Sequence, residues 1–138
     1  LGCIHKGGTR PVVEVLQEAA RPTKKGALIM DTPGYDISSV TSMVAGGATV
    51  VVFTTGRGTP TGHALAPVIK VTDNRETAKR MADNMDIDVS GILEGDLTIA
   101  DAGKGILDEV IRVASGKVTK AEAFGFSDIA VDHICRFI

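Results

Sequence analysis

Two kinds of apolar pattern alternate along this chain: short runs of consecutive aliphatic residues, and longer segments in which apolar residues return every three or four positions. The clearest run is Val50-Val51-Val52-Phe53, which predicts a strand covered on both faces. Pro67 to Val71 forms a second such segment, Ala27 to Met30 a shorter one ending at Asp31, and Asp86 to Val89 a further short strand. Helical spacing fills the intervals. Pro11 opens a predicted helix through Ala20, with Val12, Val13, Leu16 and Ala20 on its apolar side, and Arg21 to Gly26 follows as a connector. Ile37 to Ala45 is a second helix, capped by Asp36, burying Val40, Met43 and Val44, and stopped by Gly46-Gly47. Asp73 or Asn74 caps a third over Glu76 to Asp83. The longest starts at Thr98, whose hydroxyl pairs with Asp101 in a capping-box pattern. It carries the stripe Ile99, Ala102, Ile106, Val110 and Val113 and ends before Gly116. Thr119 to Glu122 repeats the capping box for a short final helix, and Ile129 to Ile134 alternates like an edge strand.

Strands alternating with helices imply an α/β domain. The expected architecture is three-layered α/β/α, Rossmann-like or flavodoxin-like, with a mostly parallel sheet. All of 1–138 reads as one domain, with 27–138 as its core and 1–26 as an N-terminal extension or linker. The start at Leu1, without an initiator Met, is expected of a piece cut from a longer protein, the alternative being a processed terminus. The formal charge of −2, from 15 basic and 17 acidic residues, leaves no electrostatic footprint for nucleic acid or an anionic membrane. No segment approaches the roughly 20 apolar residues of a membrane span, and no signal-peptide core opens the chain, so a cytoplasmic setting is expected. Cys3 and Cys135, at opposite ends, fit reduced thiols in that setting.

The candidate chemistry lies in the segment after the Val50–Phe53 run, Thr54-Thr55-Gly56-Arg57-Gly58-Thr59-Pro60-Thr61-Gly62-His63. Glycines let backbone N–H groups approach a ligand, and a lone guanidinium among small hydroxyl residues suits a carboxylate. A dinucleotide loop is a poor fit: the spacing is G-x-G-x-x-x-G, Pro60 interrupts it, and a strand follows where a helix is required. A Walker loop would end in Gly-Lys-Ser/Thr, which is missing. His63 has the intrinsic pKa of a proton donor, or is a partly exposed loop histidine. Lys70, inside an apolar segment, either reaches the site or points outward from its strand, and the outward choice is the better expectation for a lone lysine. Asp31, at a strand end, is the better candidate for a divalent cation, Asp36 being explained as a cap. Cys3 with His5 and His133 with Cys135 form i, i+2 pairs that would make a zinc site only if the termini met. Met30, Met43, Met81 and Met85 read as core filling.

These segments carry a resemblance. Leu1 to Gly8, Met30-Asp31-Thr32-Pro33-Gly34-Tyr35-Asp36, Val44 to Gly47, Phe53-Thr54-Thr55-Gly56-Arg57-Gly58-Thr59-Pro60, Pro67 to Val71 and Val113 to Gly116 resemble, in order, the C-terminal domain of the altronate and galactarate dehydratases. The Phe53–Pro60 segment is the most specific of them. The region Asp86 to Gly91 is also similar to the large subunit of sulfolactate sulfo-lyase. The resemblance implies a hydro-lyase that converts a sugar acid into a 2-keto-3-deoxy acid, using a divalent metal, iron(II), in an intact enzyme with upstream domains and possible homo-oligomerisation. It implies a catalytic or binding role for Thr54, Thr55, Gly56, Arg57, Gly58 and Thr59, and extends to Lys70 and to Asp31 as a metal ligand; His63 matches no family position and is a candidate from its place in the loop alone.

Overall fold

The computed structural model describes residues 6–131. Strand β1 (Val12–Leu16) pairs in parallel with β2 (Ala27–Met30), and α1 (Asp36–Ala45) follows. Strands β3 (Val51–Thr54), β4 (Val68–Thr72) and β5 (Ile87–Asp88) form a second sheet, in that spatial order and again parallel. Helix α2 (Arg75–Arg80) joins β4 to β5. After β5 come α3 (Gly91–Glu94), α4 (Ile99–Ala114) and α5 (Lys120–Ala123). The fold is α/β with parallel strands, as the alternation implies, and the strands divide between two small sheets.

The centre of the structure is β4, whose five residues are all buried. Side chains alternate across a strand, so Ile69 and Val71 face one way, packing with Val89 and with Ala102 and Val113 of α4. Val68 faces the other way and packs with Val51 of β3 and Val40 of α1. Two-sided burial therefore belongs to β4 and not to the Val50–Phe53 run, because β3 is an edge strand and Val52 is 41% exposed.

Several expected elements differ. The helix over Pro11–Ala20 is the strand β1: Val12, Val13 and Val15 are stiff at χ1 and favour a pleated ladder over a helix. Its connector to β2 folds back so that Glu14 accepts from the Thr23 hydroxyl and from the amides of Thr23 and Lys24. Those bonds, the Thr23 hydroxyl first, lower the Glu14 pKa. Asp36 does not cap α1; Tyr35 holds the cap position without a side-chain bond, and Asp36 is the acidic residue of the first turn. In α4 the buried side is Ala102 and Val113 with Ile106 and Val110 half-buried, whereas Ile99 is exposed. The short helix α3 was not expected. Of the four methionines Met85 is buried, and Met30, Met43 and Met81 are half-buried. Ile129 to Val131 is not a strand, and the remainder of that segment lies outside the described residues, as do Cys3, His5, His133 and Cys135.

The other three caps follow the sequence. Asn74 accepts from the amides of Glu76 and Thr77 at the start of α2, Thr98 accepts from Asp101 N, and Thr119 with Glu122 completes a capping box. Replacing Asn74→Ala leaves two amides without their acceptor and should lower stability by about 1 kcal/mol, read as a fall in the urea midpoint with unchanged slope.

Candidate functional site

Parallel strands need a long crossover, and between β3 and β4 that crossover contains no helix. Residues 55–67 instead run as a loop from the carboxyl end of β3 back to the start of β4. Thr59, Thr61, Gly62, His63 and Ala66 are buried, while Thr54, Gly56, Arg57 and Pro60 are exposed and Thr55 and Gly58 half-buried. The first half faces outward. The second half is packed down except at Ala64 and Leu65, which are exposed.

Helix α2 grips the outward half. Thr77 donates its hydroxyl to the Gly56 carbonyl at 2.7 Å, and Arg80 donates from Nη2 to the Arg57 carbonyl at 3.1 Å. Gly58, at φ +84°, sits so close to this helix that an added Cβ would lie 2.3 Å from Met81 Sδ and 3.0 Å from Thr77 Cγ2. Its amide donates to Thr55 Oγ1 at 3.0 Å. Among the described residues, no partner takes the N–H groups of Gly56 or Arg57, and the Arg57 guanidinium enters none of the ion pairs. This end of the loop, at the carboxyl edge of parallel strands, thus presents unused donors and the exposed guanidinium groups of Arg57 and Arg80 to solvent, which is suitable chemistry for a small anion.

The buried half is held from within. Thr59 and Thr61 share a hydroxyl–hydroxyl bond of 2.8 Å. Gly62 approaches the chain after α5 so tightly that a Cβ would meet the Phe126 carbonyl oxygen at 2.1 Å. Lys70 is the major departure from expectation. It is fully buried, not turned outward, because residues 68 and 70 share the face that the loop covers. Its ammonium donates to the carbonyls of Pro60 at 3.3 Å and Thr61 at 3.4 Å. Burial lowers its pKa, the Asp86 carboxylate opposes that shift, and Lys120 adds to it.

His63 is also buried, at 6% exposure, rather than a partly exposed loop residue. Its Nδ1 accepts from the Leu65 amide at 3.2 Å and its Nε2 has no partner among the described residues. That bond makes Nε2 the protonated nitrogen of the neutral ring. Burial pulls its pKa down from 6.5. A hollow of about 300 Å³ opens beside His63 to Pro67 and Glu122, Gly125 and Phe126; Arg57 and its neighbours do not line it. Asp31 follows β2 in the other sheet and is exposed, its amide donating to Leu16 O. The structure therefore sets Thr54 to Gly58 as the outward part of the crossover and buries Thr59, His63 and Lys70, while Asp31 follows a strand of the other sheet. Thr77, Arg80 and Asp86 were missed as supports. For the first two, the Asn74 cap followed by the i, i+3, i+4 face of Thr77, Arg80 and Met81 was the available signal.

Residues 1–136 match the family model described as D-galactarate/Altronate dehydratase, C-terminal. The chain is 46% identical over 117 residues to the galactarate dehydratase (L-threo-forming) of Escherichia coli K12, covering 85% of this chain and 22% of that protein. It is 36% identical over 135 residues to the (2R)-sulfolactate sulfo-lyase subunit beta of Chromohalobacter salexigens, 97% and 35% of the two chains. It is 32% identical over 131 residues to the altronate dehydratase of Bacillus subtilis 168, 95% and 26% respectively. The chain thus spans about a fifth to a third of the length of these relatives.

Two tests follow from the loop geometry. Gly58 and Gly95 share φ +84°, yet a Cβ on Gly95 meets nothing within 4 Å. Gly95→Ala should therefore cost only the backbone strain, about 1–2 kcal/mol, and Gly58→Ala distinctly more, compared by urea denaturation. For His63, the depressed pKa means that below pH 6.5 the unfolded chain takes up a proton that the folded chain resists. Stability should fall as pH drops through 6.5 toward the lowered native value, and His63→Gln should remove that component of the slope.

Proposed function

Since this chain belongs to the D-galactarate/altronate dehydratase C-terminal family, we propose that it is the C-terminal domain of a cytoplasmic sugar-acid hydro-lyase and supplies the loop that grips a substrate carboxylate. The observation that carries this reading is the outward half of the crossover, where Arg57 and the unused amides of Gly56 and Arg57 stand at the carboxyl edge of the sheet. The substrate class comes from the galactarate and altronate named for the relatives.

The reaction removes the proton at the carbon beside the carboxylate, forms a carbon–carbon double bond as the neighbouring hydroxyl leaves with a proton as water, and lets the resulting enol tautomerise to a 2-keto-3-deoxy acid. Negative charge accumulates on the carboxylate during proton removal, so fixed donors aimed at it favour the transition state. Arg57 fits that task through its planar fork, with Thr54, Thr55, Gly56, Gly58 and Thr59 shaping the cradle. His63 and Lys70, both buried, belong to this proposal as supports beneath the loop, not as groups that touch the substrate.

The family reading brings with it iron(II) or another divalent metal. Among the described residues no group of three or more His, Cys, Asp or Glu side chains is arranged to hold one, with or without Asp31. The described part of the chain does not fit a resident metal. The base and any metal ligands are assigned to other parts of the complete enzyme, its upstream domains or a second copy. Among the described residues no helix is long and apolar enough to cross a membrane.

A second reading, a carbon–sulfur lyase acting on sulfolactate, draws on the relative that covers 97% of this chain. The deciding assay uses the complete parent enzyme with ferrous iron against hexonates, hexarates and sulfolactate. Dehydration of a sugar acid, with kcat/KM reduced about 10- to 100-fold in Arg57→Ala, is the expected result, since a charged hydrogen bond is worth about 1.5–3 kcal/mol. Cleavage of sulfolactate alone would favour the second reading. A parent that binds nucleotides and turns over neither substrate would overturn both.

A further inference from the structure

Burying a lysine in the middle of a central strand disfavours its charge, and nothing about β4 itself requires it. Its neighbours Val68, Ile69 and Val71 are buried aliphatics, and an aliphatic residue at position 70 would fill the same layer without a charge to desolvate. A lysine whose pKa is lowered on folding opposes folding while protonated, and that opposition is relieved only as pH rises through the lowered value toward 10.5. Lys70 is therefore not explained by a gain in stability.

What the ammonium does is gather two carbonyls of the crossover. A helix in this position would have bonded its own peptide groups, whereas a buried loop leaves carbonyls facing the sheet. An ammonium has three donors and can serve acceptors on consecutive residues, and the separations of 3.3 and 3.4 Å suit one cation shared between Pro60 and Thr61. Asp86 and Lys120 are the charged groups acting on it: Asp86 accepts from the backbone amides of Lys70 at 2.7 Å and Lys120 at 2.9 Å, and the Lys120 ammonium is engaged by the carbonyls of Ala82 and Met85.

We propose that Lys70 is a positioning residue whose buried ammonium, held by the Pro60 and Thr61 carbonyls, fixes the descent of the crossover and thereby the orientation of the Thr54–Thr59 cradle. The functional consequence rests on the carboxylate-gripping reading above; the ordering of the loop does not.

The test is Lys70→Met, which keeps length and apolar bulk and removes the donors. In the 138-residue chain, global stability in urea should hold or rise, while amide hydrogen exchange at Gly58, Thr61 and Gly62 should accelerate about tenfold. In the complete enzyme, kcat/KM should fall about tenfold, chiefly through KM, because the grip on a carboxylate exists in both ground and transition states. Unchanged loop exchange overturns the proposal, as does a loss of global stability with exchange accelerated evenly throughout. Should Lys70→Met not fold, NMR titration of the wild type decides: the amide resonances of Thr61 and Gly62 should shift with the same midpoint as Lys70 Nζ, below 10.5. Loop resonances that stay fixed while Nζ loses its proton refute it. Accelerated exchange in a chain whose parent dehydrates nothing would sink the functional reading and leave the positioning role intact.

Discussion

A chain that crosses between two parallel strands without a helix must find partners for every peptide group it buries, and this requirement shapes the structure around β4. A crossover helix satisfies its own backbone, so the sheet beneath it can be wholly aliphatic. Here the crossover is a loop, and its carbonyls and amides are served by side chains: Thr55 and Thr59 accept from amides within the loop, Thr77 donates to Gly56, Arg80 to Arg57, and Lys70 to Pro60 and Thr61. Three threonines, an arginine and a lysine together do the bonding that a helix would do internally.

These supports are linked to one another. Asp86 uses one carboxylate oxygen on the amide of Lys70, in the centre of β4, and the other on the amide of Lys120, at the start of α5. Lys120 in turn donates to the carbonyls of Ala82 and Met85, which follow α2. The helix that grips the outward half of the loop, the strand that anchors its middle and the segment that presses on Gly62 are thereby joined through a single aspartate and two lysines. The exposed cradle can be regular in shape because everything behind it is tied.

The sequence revealed what local chemistry controls and missed what tertiary contact controls. Asn74, Thr98 and Thr119 announced helix starts, since a cap is a bond between near neighbours in the chain. The loop was legible because its glycines, threonines and Arg57 are unusual in succession, and its family pattern is specific. By contrast, Val12 to Leu16 has apolar spacing compatible with either period, and only pairing with Ala27–Met30 selects the strand. Which of two apolar runs lay at the centre was equally hidden, because strand order is a nonlocal property. Lys70 and His63 were misread for the same reason: an isolated polar residue normally reaches solvent, and only the packing of residues 59–63 over the sheet closes that route.

The arrangement separates two tasks that conflict in a single polar segment. Donors meant for a substrate must stay unsatisfied in the empty protein, and unsatisfied groups are tolerable only where water can reach them. Donors meant for the protein are costly to leave unmet once buried, and in the enclosed half the His63 Nε2–H is an exception, without a partner among the described residues. The crossover divides accordingly at Thr59: before it, Gly56 and Arg57 keep their amides open to solvent; after it, Thr61 and the carbonyl beside it are enclosed and bonded. Gly58 and Gly62 flank that boundary: a Cβ on Gly58 would displace the Met81 side chain, and one on Gly62 would run into the Phe126 backbone. A cradle built this way offers an acidic substrate group a set of donors whose positions are fixed before it arrives, which is the condition under which a hydrogen bond contributes to selective binding instead of being spent on ordering the loop.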